Sequence, residues 1–214
     1  MKEQVIVVGL GRFGGAVARE LHRLGHEVLA IDAHESTIND IAPEVTHAIQ
    51  LDASDEEALR AAGAAEFQTA VVAMSSAVEA SIFATMALKL LGVPNVIAKA
   101  SGPLHGAILE RIGADRVVYP EREAGIDVAH TFRLRNVVDY LDVAPGFGIA
   151  KIHVPPAFVG QSLRELDLVT RFKVTPIALR RGGAVTVNPH RDERLVEGDQ
   201  LVLIGLDDQL ALVG

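Results

Sequence analysis

Gly9-Leu10-Gly11-Arg12-Phe13-Gly14 sets three glycines at G-x-G-x-x-G spacing directly after the apolar run Val5–Val8. Glycine at the first position permits a tight strand-to-helix turn. At the second it lets the backbone approach a pyrophosphate, and at the third it lets the helix lie against the strand. The free N–H groups and positive end of that helix would then meet phosphate oxygens. Asp32 follows 18 residues after Gly14, at the end of the next apolar run. A carboxylate there accepts both hydroxyls of a ribose and repels a 2′-phosphate. These residues are suited to holding a nucleotide, with NADP disfavoured. The plainer alternative is a glycine-rich turn that binds nothing.

Further groups fall at the ends of later apolar runs. Asp52 stands where it could address an adenine or a ribose, or merely close the capped turn Asp52-Ala53-Ser54. Ser75 and Ser76 follow the fourth run, and Lys99 ends the fifth. A lysine among apolar neighbours needs a counter-charge, either a phosphate or an internal carboxylate. Arg12 offers a planar fork to a terminal phosphate, which a dinucleotide pyrophosphate does not need; the alternative is a solvated arginine in the first helical turn. Glu121, after Tyr119-Pro120, would hold a divalent cation bridging phosphates or simply start the next helix.

A dehydrogenase also needs a general acid or base beside its cofactor. Lys151, His153 and His190 stand without a paired base or nucleophile. His22 and His26 are four apart, but Arg23 takes the place of a zincin glutamate and Gly25 breaks the helix between them. They read as surface residues at a helix end.

The elements that must position these groups alternate in the first 134 residues. Strands are expected at Gln4–Val8, Glu27–Asp32, Ala48–Leu51, Ala70–Ala73, Val96–Ala100 and Arg116–Tyr119, with helical patterns between them. Phe13, Val17, Leu21 and Leu24 share one helical face that Gly25 closes. Ser54 is expected to cap a helix over Asp55–Ala62 ended by Gly63. The helix from Ala77 to Leu91 is apolar nearly all round, with Ser81, Thr85 and Lys89 as its one polar stripe, so it should pack on both sides. This order predicts an α/β fold, a Rossmann-type doubly wound parallel sheet.

After Tyr119 the pattern changes. Ile126, Ala129 and Phe132, then Val137, Val138 and Leu141, read as two helical segments broken near Arg133–Arg135, able to cross over and pack on another subunit. Short strands are expected at Ile149–Val154, Val174–Leu179, Ala184–Val187 and Gln200–Ile204, with a small helix around Ser162–Leu166. The expected division is a nucleotide-binding domain with its crossover helix over 1–134, then a linker helix and a small α+β lobe over 135–214. That lobe is near the lower size limit for a single core and would gain from pairing with a copy of itself.

Composition narrows the classes. The chain is 49% hydrophobic but 4% aromatic, which suits a Val/Leu/Ile/Ala core of the parallel-sheet kind. The formal charge of −8 argues against nucleic acid as main partner. Residues 1–134 carry 11 Lys/Arg against 18 Asp/Glu and the rest 9 against 10, so the two parts differ in character. The absence of cysteine excludes disulfides and makes the cytoplasm the expected compartment. There is no 18-residue apolar run, and the first strand begins too early for a signal peptide.

Two long stretches, "VVGLGRFGGAVARELHRLGHEVLAID" and "LERIGADRVVYPEREAG", together with "VPNVIAKA", resemble the cytosolic regulator-of-potassium-conductance (RCK) subunits of bacterial Ktr/Trk potassium uptake. "FVGQSLRELDL", "VTPIALRRGG" and "LVEGDQLVLIG" resemble the TrkA-C module in the same order. The resemblance covers nearly the whole chain. It implies a non-enzymatic gating subunit that forms homodimers and an octameric ring beneath a membrane potassium-translocating subunit, peripheral to the inner face of the membrane. In such rings ATP and ADP hold different shapes, and NAD(H) is a further candidate ligand. Carried over, Gly9, Gly11, Phe13 and Gly14 would bracket the phosphates, and Asp32 would hold the ribose. Asp52 and Ser75 would line the same site. Arg12 would reach the terminal phosphate of ATP on a neighbouring subunit, and Lys99 would contact phosphate. Glu121 would sit near a cation, magnesium or calcium, between facing nucleotides. In the small lobe, Ile177, Asn188, Pro189 and His190 would mark a cyclic di-AMP site. Two competitors from other classes are an NAD(H)-linked oxidoreductase or redox sensor, and an oligomerisation module with a vestigial nucleotide fold.

Overall fold

The computed structural model describes residues 2–74, 76–133 and 137–213. It divides into two compact units, Met1–Pro120 and Glu121–Gly214.

The first unit carries six parallel strands, β1 (Gln4–Val8), β2 (Glu27–Asp32), β3 (His47–Gln50), β4 (Thr69–Val72), β5 (Asn95–Lys99) and β6 (Arg116–Val118). Their order in the sheet is β3-β2-β1-β4-β5-β6, the doubly wound arrangement. In β1 the alternation of side chains separates two cores. Ile6 and Val8 join Leu29, Ile31 and Val72 on one face; Val5 and Val7 join Val28, Ala30 and Val71 on the other. The second face is covered by α1 (Arg12–Arg23) and α2 (Glu35–Ile41), the first by α3 (Glu56–Ala61), α4 (Val78–Leu90) and α5 (Pro103–Arg111). Burial on both faces explains why the four inner strands, β2, β1, β4 and β5, read as apolar runs, while the edge strands β3 and β6 are more exposed.

Three local expectations change. Asp55, not Ser54, caps α3: its Oδ1 accepts from Glu57 N–H at 2.9 Å and Ala58 N–H at 3.2 Å. The Asp55 carboxylate occupies the N-cap position itself, while the Ser54 hydroxyl is drawn back to Asp52. On α1 Val17 and Leu21 pack against the core as expected, but the fully buried positions are Gly14, Gly15 and Ala18, where close helix–strand contact selects the smallest side chains, and Leu24 is exposed. On α4 the stripe is inverted. Ser81 and Thr85 are fully buried, while Phe83, Met86 and Leu90 are exposed. The two small polar residues suit a buried face against α3 and α5; the Thr85 hydroxyl donates to the Ser81 carbonyl at 2.8 Å, meeting its own need internally. Lys89 reaches past the helix end to the Val93 and Pro94 carbonyls and to Asp115.

The second unit opens with α6 (Pro120–Arg133). The break expected near Arg133–Arg135 falls on 134–136, outside the described residues. Beyond it, Val137–Ala144 is not a linker helix but a strand, β7. Pro145-Gly146, with Gly146 at φ +75°, turns the chain so that β7 pairs antiparallel with β8 (Phe147–His153). Val137, Val138, Tyr140 and Val143 are β-formers that a hairpin partner recruits. Tyr140 is fixed from below, its hydroxyl donating to Asp207 at 2.6 Å and its ring occupying the space above Gly148. The remaining strands are β9 (Thr175–Arg181), β10 (Ala184–Val187) and β11 (Gln200–Leu206), in the sheet order β10-β9-β11-β8-β7. Short helices α7 (Leu163–Leu166) and α8 (Leu168–Phe172) pack Leu163, Leu166 and Leu168 on Ile152, Leu201 and Leu203. A four-residue α9 (Asp207–Leu210) follows β11.

Candidate nucleotide-binding site

Strand order reverses between β1 and β4, so the loops leaving their carboxyl ends part there and open a crevice. A cavity of about 460 Å³ occupies it, taking in Gly9, Gly11, Asp32, Asp52, Ala73 and Met74 among its walls. The glycine spacing is a steric requirement at two positions. Gly9 adopts φ +82°, and a Cβ on it would meet Met74 Cγ at 2.4 Å; a Cβ on Gly14 would lie 1.9 Å from the Gly9 carbonyl oxygen. Gly11 differs, since a Cβ there meets nothing within 4 Å. It is the N-cap of α1 and supplies no side-chain cap. The first N–H groups of a helix have no carbonyl partner within it, so this turn presents donors of the kind a phosphate accepts.

Asp32 is held in place rather than left loose. Its Oδ2 accepts from Leu10 N–H at 2.8 Å, tying β2 to the glycine turn. Its Oδ1 accepts from the backbone N–H and the Nδ1 of His34, each at 2.9 Å. Burial by itself would raise this carboxyl. The bonds from Leu10 and His34 outweigh it, so Asp32 titrates below its ordinary range and stays an acceptor at neutral pH. Asp52 Oδ1 accepts from the Ser54 hydroxyl at 2.7 Å and from Ser54 N–H at 2.9 Å, which holds its carboxyl low as well. It therefore both closes its turn and lines the cavity.

The other expected residues are placed as follows. Arg12 is exposed at the first position of α1. Lys99 is 6% exposed, and its ammonium lies 5.4 Å from the centroid of the Phe13 ring. That distance is within cation–π range, so the fingerprint's aromatic residue touches the end of β5. Ser75 lies outside the described residues; Ser76 lines the cavity. Glu121 lies in the first turn of α6, at the start of the second unit. Among the described residues no three His, Asp or Glu side chains converge on a metal position. A cation would need phosphate oxygens to complete its shell. His34 and Thr37 also line the cavity. His34 was legible only as the second residue after a carboxylate, the spacing at which an aspartate accepts its own downstream N–H.

The second unit has a cavity of about 550 Å³ beside α7 and α8. Asn188 and Pro189 line it, with Arg164 and Arg191. Asn188 takes φ +49° and donates its N–H to the Ile177 carbonyl at 2.9 Å. Ile177 is not among the lining residues, and the His190 ring lies 3.4 Å from Asp192.

Residues 5–120 match the TrkA-N domain and residues 149–213 the TrkA-C domain. The chain is 35% identical to Ktr system potassium uptake protein A of Bacillus subtilis (strain 168) over 203 residues, 95% of this chain and 91% of that protein. It is 36% identical to Ktr system potassium uptake protein C of the same organism, over 96% and 93% of the two chains. The GsuK channel bound to NAD shares the fold, with a TM-score of 0.66 at 21% identity over all of this chain and 39% of that one. With the TrkA-N and TrkA-C matches in this order, and alignments to Ktr proteins A and C that cover almost the full length of both, the chain belongs to the TrkA-N/TrkA-C family that includes Ktr potassium uptake proteins A and C.

Proposed function

We propose that the chain is a non-enzymatic regulatory subunit of a potassium uptake system, reading adenine nucleotides at the β1–β4 crevice. The observation that carries this is the joining of the glycine turn to a fixed, ionised Asp32 through Leu10 N–H, in a chain of the length of the Ktr proteins A and C. Its partner is a membrane potassium-translocating subunit, which places the protein at the inner face of the membrane. Among the described residues no helix is long and apolar enough to cross a membrane.

A nucleotide shifts a conformational equilibrium only by its difference in affinity for the two states. ATP and ADP differ by the γ-phosphate, so the discriminating groups must reach it. We assign that role to Arg12 from a neighbouring subunit, with Lys99 as a further phosphate contact and Glu121 helping to hold magnesium or calcium. NAD(H) is a second candidate at the same crevice, since it presents the same adenosine and pyrophosphate. The exposed stripe Phe83, Met86 and Leu90 on α4 supports assembly with further copies of this chain, up to the octameric ring. For the cavity of the second unit we propose cyclic di-AMP, whose two phosphates suit Arg164 and Arg191 beside Asn188 and Pro189.

Calorimetric titration of nucleotide-free protein with ATP, ADP and NADH, with and without magnesium or calcium, tests the reading. ATP binding that tightens with the cation while ADP binding does not supports a γ-phosphate sensor. Tight NADH binding with indifference to ATP moves the function to a redox sensor, and NADH consumption with a substrate moves it to an oxidoreductase.

A further inference from the structure

The ribose carboxylate is already engaged. A carboxylate offers about four lone-pair positions, and three are occupied: Leu10 N–H on Oδ2, and the His34 N–H and Nδ1–H on Oδ1. Because Asp32 is an acceptor only, the His34 nitrogen facing it must carry the proton. Two ribose hydroxyls need two positions, so one donor has to leave. The two backbone donors are fixed. Leu10 belongs to the glycine turn, and the His34 backbone is pinned because its carbonyl accepts from Thr37 N–H and Ile38 N–H at the start of α2. The preceding carbonyl, of Ala33, is held by the Gln50 side chain at 3.0 Å. The imidazole is different: the His34 side chain is 81% exposed against 12% for Asp32, and rotation about its own bonds frees it.

We propose that His34 is an intramolecular competitor for the ribose position on Asp32, and that nucleotide affinity therefore falls as its imidazole becomes protonated. This rests on the nucleotide reading above and adds the residue that sets its affinity. Because Asp32 is ionised, a neutral imidazole already gives it a charge-assisted hydrogen bond; an imidazolium adds the attraction of opposite charges to that bond. Histidine is the side chain that changes charge between about pH 5 and 8. Among the described residues lining the cavity, the charged groups besides His34 are the carboxylates Asp32, at the end of β2, and Asp52, after β3; Glu35 is its neighbour in the chain on α2. His47 lies at the opposite end of β3, paired with Leu29, while Gln50 is the β3 residue paired with Asp32. A protonated His34 ring would face these carboxylates, with Asp32 the one in hydrogen-bond contact.

The test is ADP binding by the full chain and by His34→Ala and His34→Gln, measured by calorimetry from pH 8.5 to 6. The nucleotide's own titration is common to all three. We expect His34→Ala to bind ADP about three- to tenfold more tightly than the unsubstituted chain, with the ratio growing as pH is lowered. His34→Gln, which keeps a donor but no titrating charge, should bind like the unsubstituted chain at pH 8.5 and gain on it only at pH 6. With 2′-deoxy-ADP, which asks less of Asp32, the advantage of His34→Ala should shrink. Equal or weaker binding by His34→Ala, or a ratio that does not change with pH, overturns the inference and leaves the site reading intact. Absence of ADP binding by the unsubstituted chain, or ADP binding undiminished by Asp32→Ala, removes the site reading and the inference with it.

Discussion

In the parallel sheet, the loops after β1 and β4 part at the reversal of strand order, and the first turn of α1 begins without a side-chain cap beside an open cavity. The antiparallel sheet treats its polar groups differently. Asp199, 1% exposed at its side chain, accepts both arms of Arg181, at 2.9 and 2.8 Å, and Val196 N–H at 2.9 Å. Arg181 also reaches Glu193 and the Arg194 carbonyl. Ser162 and Glu165 form a reciprocal cap at the start of α7, and Tyr140 closes on Asp207. One unit leaves backbone donors for a ligand to satisfy; much of the other's polar framework is satisfied from within. Order in the first is therefore expected to respond to nucleotide, and order in the second to depend on its own ion pairs.

The comparison breaks most readily at Gly14. Gly14→Ala drives a Cβ into the Gly9 carbonyl, backbone that cannot step aside without moving the turn. We expect a loss of about 3 kcal/mol in urea unfolding, and loss of any ADP-dependent rise in Tm. A variant of unchanged stability would show the turn to be looser than its geometry. Next is Arg181→Ala, which leaves the Asp199 carboxylate buried with one backbone donor. Breaking a buried pair costs roughly 3–5 kcal/mol, but Arg181 is 45% exposed and water screens it, so about 2 kcal/mol is expected. ADP should not rescue this loss, because the damage lies in the other unit.

Ser162→Ala removes one half of the reciprocal cap and should cost about 1 kcal/mol. Gly11→Ala is the sharpest contrast with Gly14→Ala. Its Cβ enters open space, so stability should stay within about 0.5 kcal/mol while ADP binding weakens at least several-fold through crowding of the phosphate position. Retained affinity would move the phosphates off this turn.

Acid pH sharpens the same contrast. The Arg181 pair, offset in part by burial and helped by Val196 N–H, holds the Asp199 carboxyl below its ordinary 3.8. A group depressed in the folded state contributes its full stability above the unfolded value and loses it as pH falls through the folded one. Unfolding free energy should therefore drop below about pH 4, and Asp199→Asn should flatten that part of the profile. An unchanged profile in Asp199→Asn would assign the acid response elsewhere.

Much of this was legible in the residues. Short apolar runs alternating with glycine-punctuated helical patterns mark the strands of a parallel sheet, so all six parallel strands fell within a residue or two of their observed bounds. Val137–Ala144 was not legible as a strand. Apolar residues at 137, 138 and 141 satisfy a helical period as well as a strand, and only pairing with β8 across Pro145-Gly146 decides between them. The α4 stripe misled for a related reason. Periodicity shows that polar and apolar faces exist, but not which one packs, and a small polar residue such as Thr85, whose hydroxyl bonds its own helix, can be a buried one.

The sequence by itself determined the glycine turn and the carboxylate at the end of β2, because each rests on a local backbone requirement or on a short, regular spacing. The tertiary structure alone decided the rest. It joined Asp32 to Leu10 and Phe13 to Lys99, and set the orientation of the His34 ring on the carboxylate two residues before it. Such contacts depend on strand register and side-chain direction, which arise from how elements pack together and leave little trace in the order of residues along the chain.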